Sequence, residues 1–209
     1  MEQPRPVSTP AYWDGLYAGG EDGWDLGAPS PPLAAWLDAG GRFDSATPGT
    51  PARIAVPGCG RGHDTRLLAR HGYRVSGFDF ADAPVTQARA LAKTEAVDVT
   101  FEQRDVFGLA AEYPCAFDAV WEYTCFCAID PARREEYARV VHAILRPGGV
   151  LLGCFFPLRE GGGGPPFPVS MAEVERVLAP GFAILEAGPP AESVEPRRGL
   201  ECLVRAQRR

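Results

Sequence analysis

The chain has 209 residues, and its 21 Lys and Arg against 27 Asp and Glu leave a net charge of −6 on a 45% hydrophobic background. That length suits one α/β domain with decorations, and acidity without a basic cluster excludes a nucleic-acid or anionic-membrane partner, because phosphate binding needs grouped Lys and Arg. No run approaches the roughly 18 apolar residues of a membrane span, and the first ten residues hold no apolar signal core, so the sequence predicts a cytoplasmic protein with a small-molecule partner. Nothing in it sets an oligomeric state.

Residues 1–30 carry Trp13, Tyr17 and Trp24 among Gly, Pro and Asp, and this aromatic density predicts an N-terminal arm that covers something. Leu33, Trp36 and Leu37 have helical spacing, with Pro31-Pro32 at the first turn, and residues 38–52 read as a loop. From there strands and helices alternate. Strands are predicted at 54–56, 74–78, 97–101, 117–123 and 150–156; helices at 64–70, 82–93 (capped by Asp82-Ala83-Pro84) and 131–146 lie between them. A last helix near 170–178 and strands near 182–186 and 200–205 close the chain. The pattern predicts a mostly parallel, doubly covered sheet. Cysteines at 59, 115, 125, 127, 154 and 202 sit mostly in apolar runs and read as reduced thiols. Cys125-Phe126-Cys127 is C-x-C with no second Cys or His pair, so no metal site is predicted.

The motif with chemical content is Ile54-Ala55-Val56-Pro57-Gly58-Cys59-Gly60-Arg61-Gly62-His63-Asp64: strand, glycine turn, helix. Gly58 and Gly60 let a ligand approach the backbone where a helix begins. The spacing is G-x-G-x-G, which disfavours the rival reading of a dinucleotide-dependent oxidoreductase. Asp79 ends the next strand, where an acid accepts hydrogen bonds from ribose hydroxyls, and Asp105-Val106 follows the third strand, where an adenine would lie. The simpler reading makes Asp79 and Asp105 local caps. His63 reads as ordering the glycine loop rather than as an acid or base, His71 as a partner of helix-end carbonyls, and His142 as a helix neighbour.

Tyr12-Trp13-Asp14, Gly23-Trp24-Asp25-Leu26-Gly27, the glycine loop, Phe117-Asp118-Ala119-Val120-Trp121-Glu122-Tyr123-Thr124-Cys125-Phe126-Cys127-Ala128-Ile129, Phe156-Pro157-Leu158 with the segment Gly163 to Ser170, and the R-x-G-x-E of Pro196-Arg197-Arg198-Gly199-Leu200-Glu201 together resemble the thiopurine S-methyltransferase superfamily, in particular its thiol and halide methyltransferase branch. The likeness runs in order over about residues 12–205. It implies a Rossmann-like class I fold with a seven-stranded sheet, an arm that acts as a lid (1–30) on a methyltransferase domain (31–209), and S-adenosyl-L-methionine as cofactor. The cofactor residues it implies are Trp13, Tyr17, Trp24, Gly58, Asp79, Asp105, Val106 and Tyr123. Tyr17 stands where plant members have Trp, and Trp121-Glu122 where Phe-Asp is usual, departures that bear on the acceptor pocket.

Methyl transfer from a sulfonium suits this residue set. Aromatic faces attract the cation by about 0.5–2 kcal/mol without offering a competing lone pair. A soft anion such as a thiolate, bisulfide, thiocyanate or halide is already nucleophilic and needs proximity and desolvation more than a base. The alternatives are thiopurine-like, selenium or tellurium acceptors, and a protein that binds the adenosyl ligand without turnover. Tyr123 is the candidate catalytic residue, through a hydroxyl offered to the acceptor. Arg159 and Arg198 are the candidates for attracting an anion. The four glycines at 161–164 with Pro165-Pro166 form a hinge-like loop consistent with a second lid.

Overall fold

In a computed structural model the described residues, 6–209, form seven strands in the order β3-β2-β1-β4-β5-β7-β6. The strands are β1 (Arg53–Pro57), β2 (Arg74–Asp79), β3 (Thr100–Gln103), β4 (Phe117–Tyr123), β5 (Leu145–Phe155), β6 (Phe182–Gly188) and β7 (Cys202–Arg208). The first five run parallel, and β7 is antiparallel to both β5 and β6. This is the Rossmann-like sheet the sequence predicts.

The period of two in the strands distributes the core to both faces. From β1, Ile54 and Val56 pack with Leu33 and Leu37 of α2 (Pro31–Asp38) and Leu68 of α3 (His63–Arg70). Ala55 faces the other way, into the cluster of Leu109 from α5 (Leu109–Glu112), Val140, Val141 and Ile144 from α6 (Arg134–Ile144) and Val174 and Leu178 from α7 (Met171–Leu178). On α4 (Asp82–Thr94), Val85, Ala88 and Ala92 close over Phe101. No helix among the described residues is long and apolar enough to cross a membrane.

Several boundaries differ from the sequence reading, each for a local reason. The arm contains a helix, α1 (Pro10–Gly19), that the sequence hides because the helix's apolar residues form no clear stripe; residues 1–5 of the arm lie outside the described ones. Asp82 is not the cap of α4. The cap position is Ala81, and Asp14 of α1 accepts the Ala83 N–H at 3.1 Å instead. β3 begins at Thr100 rather than 97, because Val97 N–H still closes α4 on the Ala92 carbonyl at 3.0 Å with Ala96 at φ 52°. The helix predicted to reach Arg146 ends at Ile144. Leu145 turns extended and pairs with Phe117, and the register then shifts past Pro147-Gly148-Gly149 before Val150 meets Ala119. The last strand starts at Cys202, since the Leu200 N–H is still turned onto the Arg197 carbonyl at 2.9 Å.

Strands β1, β2 and β3 step outward in one direction, and β4 and β5 in the other. The change of direction between β1 and β4 leaves a crevice beyond their carboxyl ends, where ligands bind in open α/β sheets.

Candidate active site

A cavity of about 200 Å³ occupies that crevice. Its floor is the loop after β1. Gly58, Gly60 and Gly62 all have positive φ, at 62°, 51° and 70°. A Cβ on Gly58 would lie 2.8 Å from Cys125 Cβ, so the loop and the turn after β4 touch only because this position is bare. Gly62 opens α3, with its φ in the left-handed region.

Asp79 fastens this loop to the end of β2. Its Oδ2 accepts the Gly60 N–H at 2.8 Å and its Oδ1 the Ala81 N–H at 3.0 Å. The carboxylate is 8% exposed and lines the cavity. Burial pushes its pKa up, against the opposing pull of the Ala81, Gly60 and Phe80 amides. Asp105 and Val106 also line the cavity; the Asp105 side chain is exposed and accepts the Phe107 N–H at 3.0 Å, and Val106 is buried.

The arm forms the roof. Trp13 and Trp24 meet edge to face at 5.6 Å, as do Tyr17 and Trp24 at 5.5 Å, and Trp24 Nε1–H donates to the Tyr17 hydroxyl at 3.2 Å. All three rings line the cavity. Arg61 clasps the arm to the glycine loop, with NH1 at 2.5 Å from both Asp22 and Asp25 and its guanidinium 5.1 Å from the Tyr17 ring. His63 adds to this clasp. Its Nδ1 faces Arg66 NH2 at 3.1 Å, and a guanidinium only donates, so in the neutral ring the proton sits on Nε2, 3.2 Å from Asp25 Oδ1. Burial would raise Asp25, but His63, Arg61 and the Gly27 N–H hold its carboxyl well below the usual range. The arm is anchored at its root by Ser30, whose N–H and hydroxyl donate to Asp64 at 2.6 and 2.7 Å, and Trp121 Nε1–H donates to the same carboxylate at 2.7 Å.

Tyr123 lines the cavity at the end of β4, but its hydroxyl is engaged in a buried network. It donates to Glu201 Oε1 at 2.7 Å and accepts from Arg197 NH1 at 2.6 Å. Burial raises its pKa, with Arg197 opposing and Glu201 adding. The predicted anion receptors fall elsewhere. Arg159 is exposed and donates to the Pro166 carbonyl at 3.3 Å, Arg198 is exposed, and neither lines the cavity.

The cation that does line it beside Tyr123 is Arg197, which sequence reasoning passed over. Only 6% of it is exposed. NH2 donates to the Trp24 carbonyl at 2.8 Å, and the guanidinium stacks 5.3 Å from the Tyr123 ring and 5.0 Å from Phe156. Among the described residues it pairs with no carboxylate within 4 Å, whereas the other two arginines of the cavity, Arg61 and Arg133, do. Arg197 and Arg198 are adjacent in sequence, and a short 3-10 turn at Glu195–Arg197 decides which of them faces inward.

Residues 8–207 match the thiopurine S-methyltransferase family. The chain belongs to that family. The methyltransferase is 35% identical to a probable thiol methyltransferase 2 of Arabidopsis thaliana over 92% of its own length and 83% of the relative's. It is 31% identical to a thiocyanate methyltransferase 1 of Brassica oleracea, again over 92% and 83%. A solved structure of a Burkholderia thailandensis 1,6-didemethyltoxoflavin N1-methyltransferase, with S-adenosylhomocysteine bound, superposes with a TM-score of 0.74 at 25% identity, covering all of this chain and 92% of that one. The enzyme is an S-adenosyl-L-methionine-dependent methyltransferase of the Rossmann-like class. Its cavity fits that cofactor on its own chemistry: a buried carboxylate held at the end of β2, a loop of bare glycines at the start of a helix, and three aromatic rings above them.

Proposed function

We propose that the methyltransferase acts on a small, soft, anionic nucleophile: a thiolate, bisulfide, thiocyanate or halide. The observation that carries this reading is Arg197, a buried guanidinium on the cavity that donates to two neutral oxygens, the Tyr123 hydroxyl and the Trp24 carbonyl, with the Glu201 carboxylate one hydroxyl further away. A buried guanidinium whose carboxylate partner is held off by a hydroxyl still attracts an anionic ligand on the cavity side where a neutral one gains nothing from the charge. The relatives named for thiols and thiocyanate support the same acceptor class.

In this reading Asp79 holds the ribose of the cofactor while keeping the glycine loop in place, Gly58 and Gly60 admit it to the backbone, and Asp105 and Val106 flank the adenine. Trp13, Tyr17 and Trp24 form a lid that excludes water. The bound cofactor supplies an electrophilic methyl on a sulfonium. Arg197 holds the acceptor anion, and Tyr123, fixed by Glu201, holds Arg197 and forms part of the cavity wall. Arg159 and Arg198 take no part at the cavity. An acceptor that arrives ionised needs no general base, and the phenol of Tyr123, raised by burial, is not poised to be one.

The cavity's own thiols must not compete for the methyl group. Burial raises the pKa of Cys59, with Asp79 adding, and of Cys125, with Glu122 adding, and pushes Cys127 up to about 12, again with Glu122 adding, so all three stay protonated at neutral pH. The test is transfer of labelled methyl to iodide, thiocyanate, bisulfide, an aryl thiol and tellurite, repeated with Arg197→Gln. Label on the soft anions is expected, with acceptor KM raised roughly 10- to 100-fold by the substitution, as for loss of hydrogen bonds to a charged group. Label only on a neutral thiopurine-like heterocycle, or an Arg197→Gln enzyme with unchanged KM, would overturn the assignment.

A further inference from the structure

Glu122 stands one residue before Tyr123 but on the opposite side of β4, with 1% of its surface exposed. Its partners are neutral donors. Oε1 accepts the Phe126 N–H at 2.8 Å, the Cys125 N–H also points to the carboxylate, and Oε2 accepts the hydroxyl of Tyr137 from α6. The chain therefore folds back around this one carboxylate as soon as it leaves the strand.

That turn makes much of one cavity wall, contributed by Tyr123, Thr124, Cys125, Cys127, Ala128 and Ile129. Its conformation is not one that the sequence favours by itself. Thr124 has φ 67°, in the left-handed region that a β-branched residue rarely adopts. The turn closes with Ala128 and Ile129 N–H on the Cys125 carbonyl, at 2.9 and 3.2 Å, and with the Cys127 thiol donating to the Thr124 carbonyl at 3.2 Å. From outside it is held by Arg134 Nε on the Phe126 carbonyl, at 3.2 Å, and by the Phe167 N–H on the Cys127 carbonyl, at 2.7 Å. Only Glu122 reaches the amides at its centre. An unstrained turn would not need a buried carboxylate, and burying one is costly unless its lone pairs are taken up as they are here.

We propose that Glu122 and Tyr137 are positioning residues that clamp the turn after β4 from behind and so set the acceptor wall of the cavity. The inference rests on the reading of that wall as the acceptor side. It also gives Glu122, which stands where Asp is usual, a role: the acid shapes the pocket without entering it.

The test compares Glu122→Ala, which leaves no acceptor for the two amides, with Glu122→Gln, which leaves one, and with Tyr137→Phe. Acceptor KM, calorimetric affinity for S-adenosylhomocysteine, and the alkylation rates of individual cysteines by iodoacetamide, read by peptide mass spectrometry, are measured on each. The expected result for Glu122→Ala is an acceptor KM raised about tenfold or more, with a smaller rise for Glu122→Gln. Affinity for S-adenosylhomocysteine stays within about threefold, since Asp79 and the glycine loop keep their own hydrogen bonds. Cys125 and Cys127 alkylate faster while Cys154, buried in β5, stays protected. A folded variant with wild-type KM and wild-type protection of Cys125 and Cys127 would overturn the clamp, as would exposure of Cys154 together with lost cofactor affinity, which marks a general structural loss. If neither Glu122 variant folds, Tyr137→Phe, which removes a single hydroxyl, decides the matter on the same measurements. Alkylation needs no turnover, so it separates a failed clamp from a wrong acceptor assignment.

Discussion

Glu122 is also where a single residue ties stability to pH. Burial pushes its carboxyl from the ordinary 4.5 up to about 7, against the pull of Tyr137 and the Phe126 and Cys125 amides. Between those two values the folded chain binds a proton at this site that the unfolded chain has released, so stability falls as pH rises through the window and levels off above it. The shift corresponds to about 3 kcal/mol. Denaturant unfolding of the wild type and of Glu122→Gln from pH 4.5 to 8 should show a difference in unfolding free energy that moves by that order in favour of the variant as pH rises. A pH-independent difference would mean that Glu122 titrates normally. Arg197 gives the opposite lesson about single residues: the R-x-G-x-E likeness begins at Arg197, but no charge or periodicity separates it from Arg198, and the 3-10 turn before it sends one guanidinium inward and the other into solvent.

Among the elements, the glycine loop was the most legible, because three glycines between a strand and a helix have few other uses. The reason each glycine is needed was not legible. Gly58 must be bare on account of Cys125, which is 67 positions away, and Gly62 on account of the Phe101 ring, whose atoms would lie 2.3 Å from an added Cβ. Gly58→Ala would combine that contact with a Cβ at φ 62°, and we expect it to cost about 1–3 kcal/mol of stability and to weaken S-adenosylhomocysteine binding, both measurable by thermal melts and calorimetry. A variant that melts and binds like the wild type would show that the loop and the turn are not in contact. The arm was half legible. Its aromatic residues pointed to a covering role, but α1 was not read as a helix, since what holds it is tertiary: Asp14 on the Ala83 N–H, and the ion pairs of Arg61 with Asp22 and Asp25 just beyond its end.

At the scale of the molecule, these ties make arm and sheet one structure. Ser30, Asp64 and Trp121 join the root of the arm to α3 and to the fully buried center of β4, and Arg197 joins the Trp24 carbonyl to Tyr123. We therefore expect one calorimetric unfolding transition that S-adenosylhomocysteine shifts as a whole, adding about 2.7 kcal/mol at a ligand concentration of 100 times Kd. A separate low-temperature transition that alone responds to the ligand would show the arm to be an independent unit. The net charge of −6 takes on a new meaning at this scale. It is a property of the whole surface, whereas an anionic acceptor meets the buried guanidinium of Arg197 at the cavity, in a setting of low dielectric where local charge outweighs distant charge.

The sequence by itself determined the alternation of strands and helices, the loop at which a nucleoside-type cofactor is held, and the acid at the end of β2, because these depend on residues close together in the chain and on periodicities of two and 3.6. It also carried the family likeness. Tertiary structure alone decided which arginine enters the cavity, that the Tyr123 hydroxyl is spent on Glu201 and Arg197, and that Glu122 stands behind the acceptor wall. Those outcomes depend on contacts between residues far apart in the chain, such as Tyr123 with Glu201 and Trp24 with Arg197, and on the handedness of single turns, to which neither composition nor local pattern is sensitive.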